Sequence, residues 1–147
     1  MLLRVLEFVA VLSCSLFAGA ALYINVAEHP ARMSLDTRSA VSQWAPSYRR
    51  ATWLQAPLAV ISFVAGLGSW LTGAGAGWAV AALLIGSVVP FTLIGIMPTN
   101  QKLLAPGRDL AGAETRTLLD AWGNLHSVRT VASLFATVLY LWMLAGV

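Results

Sequence analysis

Of the 147 residues, 59% are hydrophobic and only 10% charged, and nine Lys and Arg against six Asp and Glu leave a net charge of +3. That balance exceeds what a water-soluble core of this size needs and points to a chain dissolved in lipid. The basic residues lie scattered between apolar stretches instead of forming one patch, which argues against a nucleic-acid partner; the single cysteine, Cys14, rules out an internal disulfide or a thiol pair.

The first apolar stretch, 8–26, follows Arg4 and contains Ala18-Gly19-Ala20, a cleavage-like triplet. Apolar character continues through Ala21, Leu22, Tyr23 and Ile24, and Glu7 weakens the basic start, so the segment reads as an uncleaved helix. No Lys, Arg, Asp or Glu occurs between Arg50 and Lys102. A helix rises about 1.5 Å per residue and a hydrocarbon layer is roughly 30 Å thick, so that window holds two spans, 53–72 and 78–97, joined by a Gly-rich turn. A fourth span covers 127–145. The expected fold is all-α: one integral membrane four-helix bundle over 1–147, with both termini on one side and two longer loops on the other.

Arg32, Arg38, Arg49 and Arg50 follow the first span, and Lys102, Arg108 and Arg116 follow the third, so both long loops are expected to be cytoplasmic. Trp44, Tyr48, Trp53 and Trp122 would mark the headgroup level there, and Trp70, Trp78, Tyr140 and Trp142 the opposite level. Met33, Thr37, Val41, Trp44 and Tyr48 recur at helical spacing, predicting a short interfacial helix interrupted near Pro46. The fourth helix should start well before the membrane, from Ala113, with Gly123 as its weakest point. Pro90 predicts a kink in the third span.

Three polar clusters fall at the loop-side edge: Asn25, Glu28, His29 and Arg32; Thr99, Asn100, Gln101 and Lys102; and Asn124, His126 and Arg129. Trp122, His126, Arg129 and Ser133 share one helical face. Polar residues at a membrane boundary commonly snorkel or cap helix ends. Yet both histidines lie at this one level, each followed three residues later by Arg. No phosphate-binding glycine loop, paired cysteine motif or nucleophile elbow is present.

The strings FTLIGIMPTNQKL at 91–103, WGNLHSVRT at 122–130 and NVAEHPAR at 25–32 resemble the signatures of the anthrone oxygenase-like membrane proteins, a large group mostly catalogued as a domain of unknown function. The resemblance runs over nearly the whole chain. It implies oxidation of an anthrone-type, phenolic or polycyclic lipophile with molecular oxygen. In that reading His126, with an ordinary imidazole pKa near 6.5, is the general base. Arg129, Asn100 and, from an offset position, Asn124 stabilise the enolate oxygen, Trp122 lies against the flat ring, and Asn25 and His29 complete the substrate-binding set with Trp122 and Asn124. No cofactor is required, because an enolised anthrone is electron-rich enough to meet oxygen directly.

A metal-dependent variant would use His29, His126 and Glu28 around iron, or the histidines around copper, although adjacent Glu28 and His29 diverge on a regular helix. A haem between the two histidines ranks below both. In a different class stands a non-enzymatic module that binds or carries a lipophile or packs as a subunit. Four spans leave little room for an aqueous path, so a transporter would have to be a homo-oligomer. No carboxylate sits near a span centre to relay protons. Membrane lipids and a small lipophilic aromatic are the expected partners.

Overall fold

A computed structural model describes residues 1–146; residue 147, the last of the expected single domain, lies outside the described residues. Four helices are long and apolar enough to cross a membrane: α1 (Leu2–Met33), α2 (Thr37–Ala74), α3 (Ala76–Leu103) and α4 (Ala113–Ala145). Each packs on its chain neighbours, and α4 closes back on α1, giving a four-helix bundle with no strand among the described residues.

The two long loops of the sequence reading are largely continuations of these helices. α1 runs to Met33, Ser34–Asp36 forms a tight corner, and Asp36 caps α2 by accepting the Ser39 N–H at 3.0 Å. α2 then continues through Pro46 and Pro57 without a break. A proline costs a helix one hydrogen bond, and packing of Val41 and Trp44 against α4 residues Leu119 and Trp122 holds the segment in place. Arg116 on α4 ties the corner down by donating to the carbonyls of Met33 and Leu35, satisfying groups that a helix end leaves open.

Of three wide π-type turns among the described residues, one ends α2 at Trp70–Ala74 and the other two occur at matching places. Ile24–Glu28 precedes His29-Pro30, and Thr92–Ile96 precedes Met97-Pro98. In each, the residue before proline bonds five positions back, His29 N–H to the Ile24 carbonyl and Met97 N–H to that of Thr92. Proline has no N–H to give the carbonyl four residues earlier, and a wide turn just ahead of it absorbs the missing donor without ending the helix. α3 also stays helical through Pro90, where no wide turn precedes the proline, and its irregular turn lies further on.

The interior has three layers along the bundle axis. Toward the termini, Ala10, Cys14, Phe17, Ala59, Trp78, Ile85, Ala136 and Tyr140 form an apolar core. At the loop end, Ile24, Val41, Trp44, Ile96, Leu119 and Trp122 form another. Small residues draw the helices together in the first core: a Cβ on Gly66 would lie 1.9 Å from the Tyr140 hydroxyl. Half of the expected aromatic belts is core instead, since Trp44, Trp78, Trp122 and Tyr140 are buried while Trp53, Trp70 and Trp142 are exposed. Between the two cores lies the polar layer.

Candidate active site

In that middle layer α1 and α4 meet through Asn25 and His126. The Asn25 amide is oriented by donating Nδ2–H to the Gly123 carbonyl at 3.2 Å, which leaves Oδ1 facing His126 Nδ1 at 2.7 Å and the Thr130 hydroxyl at 2.5 Å. A carbonyl oxygen only accepts, so Nδ1 of His126 must carry its proton. In the neutral ring the lone pair then sits on Nε2, the nitrogen that can take a proton. His126 is 2% exposed.

Arg129 lies one turn further along α4. Its Nη2 donates to Gln55 Oε1 at 2.8 Å and its guanidinium carbon lies 5.3 Å from the Phe17 ring centre. None of the ion pairs among the described residues involves Arg129; those found join Arg4 to Glu7, Arg32 to Glu28 and Arg108 to Glu114. Its Nε is buried without a partner. A cation at this depth is costly unless something compensates it, and here a neutral amide and an aromatic face do so only in part.

Arg129 and His126 line a small niche with Gln55, Tyr48, Thr52 and Trp122. Arg129, Tyr48 and Thr52 also wall a larger cavity of about 150 Å³, otherwise lined mainly by Phe17, Ala56, Ala59, Val88, Leu93 and Met97. Ala56 and Leu93, which face outward from α2 and α3, place the mouth of this cavity at the α2–α3 seam. Exposed apolar side chains, Trp53, Ile94 and Val128 among them, adjoin the lining residues Thr52, Leu93 and Arg129 along the chain.

His29 is brought close but does a different job. Its ring stands 5.3 Å from Trp122, and His126 stands 4.9 Å from the same indole, so the two imidazoles flank one tryptophan. Trp44 and the Arg32 guanidinium enclose Trp122 further. Gly123 makes room for His29, since a Cβ there would lie 2.4 Å from its Nε2. Glu28 accepts from Arg32 at 2.6 Å and also from Ser47 and Gln43. Its carboxylate is thus committed, and no group of three His, Cys, Asp or Glu able to hold a metal, including the His29, His126 and Glu28 set, is assembled among the described residues.

Several sequence-predicted roles shift accordingly. Asn124 is exposed on the outer face of α4, about 160° around the helix from His126, and does not reach the cavity. Asn25 and His29 support neighbouring side chains; neither lines the niche or the larger cavity. Trp122 lines only the niche, while Phe17 and Tyr48 supply the aromatic walls where a ring would fit. Asn100 is 1% exposed, with both amide atoms unpartnered and no bond to His126 or Arg129. Gln55 and Thr52 carry no role in the sequence reading, and Tyr48 enters it only as an interfacial aromatic. Their spacing of four and three residues, one polar stripe on an apolar helix, was the available signal.

Fold and site together define a helical bundle of membrane-spanning length with a buried imidazole and a cation without an acidic partner beside an apolar cavity. The chain belongs to the Anthrone oxygenase family, whose profile matches residues 44–139. It is also 30% identical over 142 residues to Anthrone oxygenase tpcL of Aspergillus fumigatus, covering 88% of this chain and 87% of that protein. No solved structure matches it. The matched segment contains Tyr48, Gln55, Asn100, Trp122, His126 and Arg129, whereas Asn25 and His29 precede it.

Proposed function

We propose that this protein oxidises a lipophilic phenolic or polycyclic substrate of the anthrone type with molecular oxygen, using His126 as general base. One observation carries the reading: an imidazole with its Nδ1–H committed to Asn25 lies beside a guanidinium without an acidic partner, at the edge of an apolar cavity. Membership of the Anthrone oxygenase family and the likeness to the Aspergillus protein support the reaction class.

The chemistry needs little else. His126 Nε2 takes a proton from the ring carbon opposite the carbonyl, and the electron pair spreads onto that carbonyl oxygen as an enolate beside Arg129. The carbon then forms its bond to dioxygen, and the imidazolium returns the proton to give a hydroperoxide. Removal of the second hydrogen with cleavage of the O–O bond leaves a new carbonyl and one water. The balance is one CH₂ and one O₂ to one C=O and one H₂O, with no prosthetic group required.

The substrate partitions into membrane lipid and reaches the cavity through the α2–α3 seam. The basic residues beside the loop ends orient that end of the bundle to the cytoplasm, with both termini opposite. The test is oxygen uptake by purified protein given anthrone. Native protein should consume oxygen as anthraquinone appears, and His126→Ala, still folded, should fall to the uncatalysed rate. Equal uptake by the variant would remove His126 from the mechanism.

A further inference from the structure

We infer that Gln55 is a second oxyanion donor, its Nε2 acting with the Arg129 guanidinium to receive the anionic oxygen of a ring ligand in the niche between α2 and α4. The inference takes its substrate class from the oxidation reading above. Its geometry stands apart from turnover.

Gln55 is 2% exposed and lies within the apolar stretch of α2. Because a guanidinium can only donate, the contact with Arg129 fixes the amide: Oε1 faces Arg129 and Nε2–H₂ faces away. Nε2 is buried without any partner, as is Arg129 Nε. An amide present only to quiet Arg129 would use its acceptor and leave a buried donor unmade, an arrangement proteins avoid where no water can compensate. Trp122 Nε1 is a third unpartnered buried donor on a residue lining the same niche.

Every buried unpartnered side-chain atom on a residue lining the niche is thus an N–H, and beside them stands the basic Nε2 of His126. A site of that kind rejects donors and favours an oxygen bearing negative charge. Size agrees. The niche measures about 10 Å³, room for roughly one water-sized atom. The adjoining cavity of about 150 Å³ matches the space known to hold one benzene-sized ring. The ligand is therefore a flat lipophile with a single phenolate or enolate oxygen at its leading edge.

The experiment uses 4-nitrophenol, at a pH where it is the phenolate, and the isosteric 4-nitrotoluene, each titrated into detergent-solubilised native protein. The phenolate should bind at least about tenfold tighter, as a hydrogen bond to charge implies. Gln55→Met should lose about tenfold in phenolate affinity and leave 4-nitrotoluene unchanged. To separate a donor from a residue that merely positions Arg129, Gln55→Met is repeated in an Arg129→Met background. Further weakening of phenolate binding there supports the donor role. Affinity equal to that of Arg129→Met alone overturns it, as does a native protein with no phenolate preference. A phenolate preference that depends on Gln55 in a native protein unable to oxidise anthrone supports the niche and sinks the oxidation reading.

Discussion

Asn25 is the most informative place to perturb, because it orients the proposed base without touching the reaction. Asn25→Leu removes the acceptor of His126 Nδ1–H at 2.7 Å and of Thr130 at 2.5 Å, and the donor to Gly123 at 3.2 Å. At about 1 kcal/mol for each net hydrogen bond the loss is about 3 kcal/mol of stability, a visible drop in melting temperature. The kinetic effect should be larger than the structural one. With nothing holding the proton on Nδ1, the other tautomer becomes accessible and Nε2 ceases to be a dependable base; in a triad-type arrangement the wrong tautomer costs about 10⁴ in rate. Asn25→Asp keeps the acceptor and strengthens it by charge, losing only the Gly123 contact. Anthrone-dependent oxygen uptake should therefore fall about 10³-fold or more in the Leu variant and stay within about tenfold of native in the Asp variant. A folded Leu variant with native turnover would refute the tautomer argument.

Arg129→Met should abolish most turnover, about 100-fold or more, yet leave the melting temperature unchanged or higher, since a cation without an acidic partner is replaced by an apolar chain of similar length. Gly123→Ala should cost about 1–3 kcal/mol by driving a methyl group into His29, read as a lower melting temperature followed through tryptophan fluorescence. Orientation is open to labelling because the native Cys14 is buried. A membrane-impermeant maleimide applied to right-side-out vesicles should react with Ala76→Cys, at the α2–α3 turn, and spare Ser42→Cys, both of which replace exposed residues.

The bundle could be read from the chain because lipid imposes simple rules: a charge-free window of the right length admits few alternatives to two spans. The shared face of Trp122, His126 and Arg129 was equally legible, since an uninterrupted helix fixes it by spacing alone. Asn124 shows the limit of grouping by level, because two residues along a helix turn a side chain well away from its neighbour. Pro46 misled for another reason. Local propensity predicts a break, and packing of Trp44 and Tyr48 against the bundle overrides it. Whether a tryptophan anchors at a headgroup or fills a core depends on which way its helix face turns, a tertiary property in Trp78 and Trp122 alike. Gln55 was visible as the one amide inside α2's apolar stretch. Only its contact with Arg129 across the bundle gives it a role.

Single-turnover oxidation of anthrone under isotopically heavy dioxygen tests the central claim most directly. The account predicts that native protein delivers one heavy oxygen atom into the new carbonyl of each anthraquinone, the other leaving as water. His126→Ala should yield labelled product only at the rate seen without protein. Product formed at equal rates by both proteins, or native product whose new carbonyl carries no label, would contradict it.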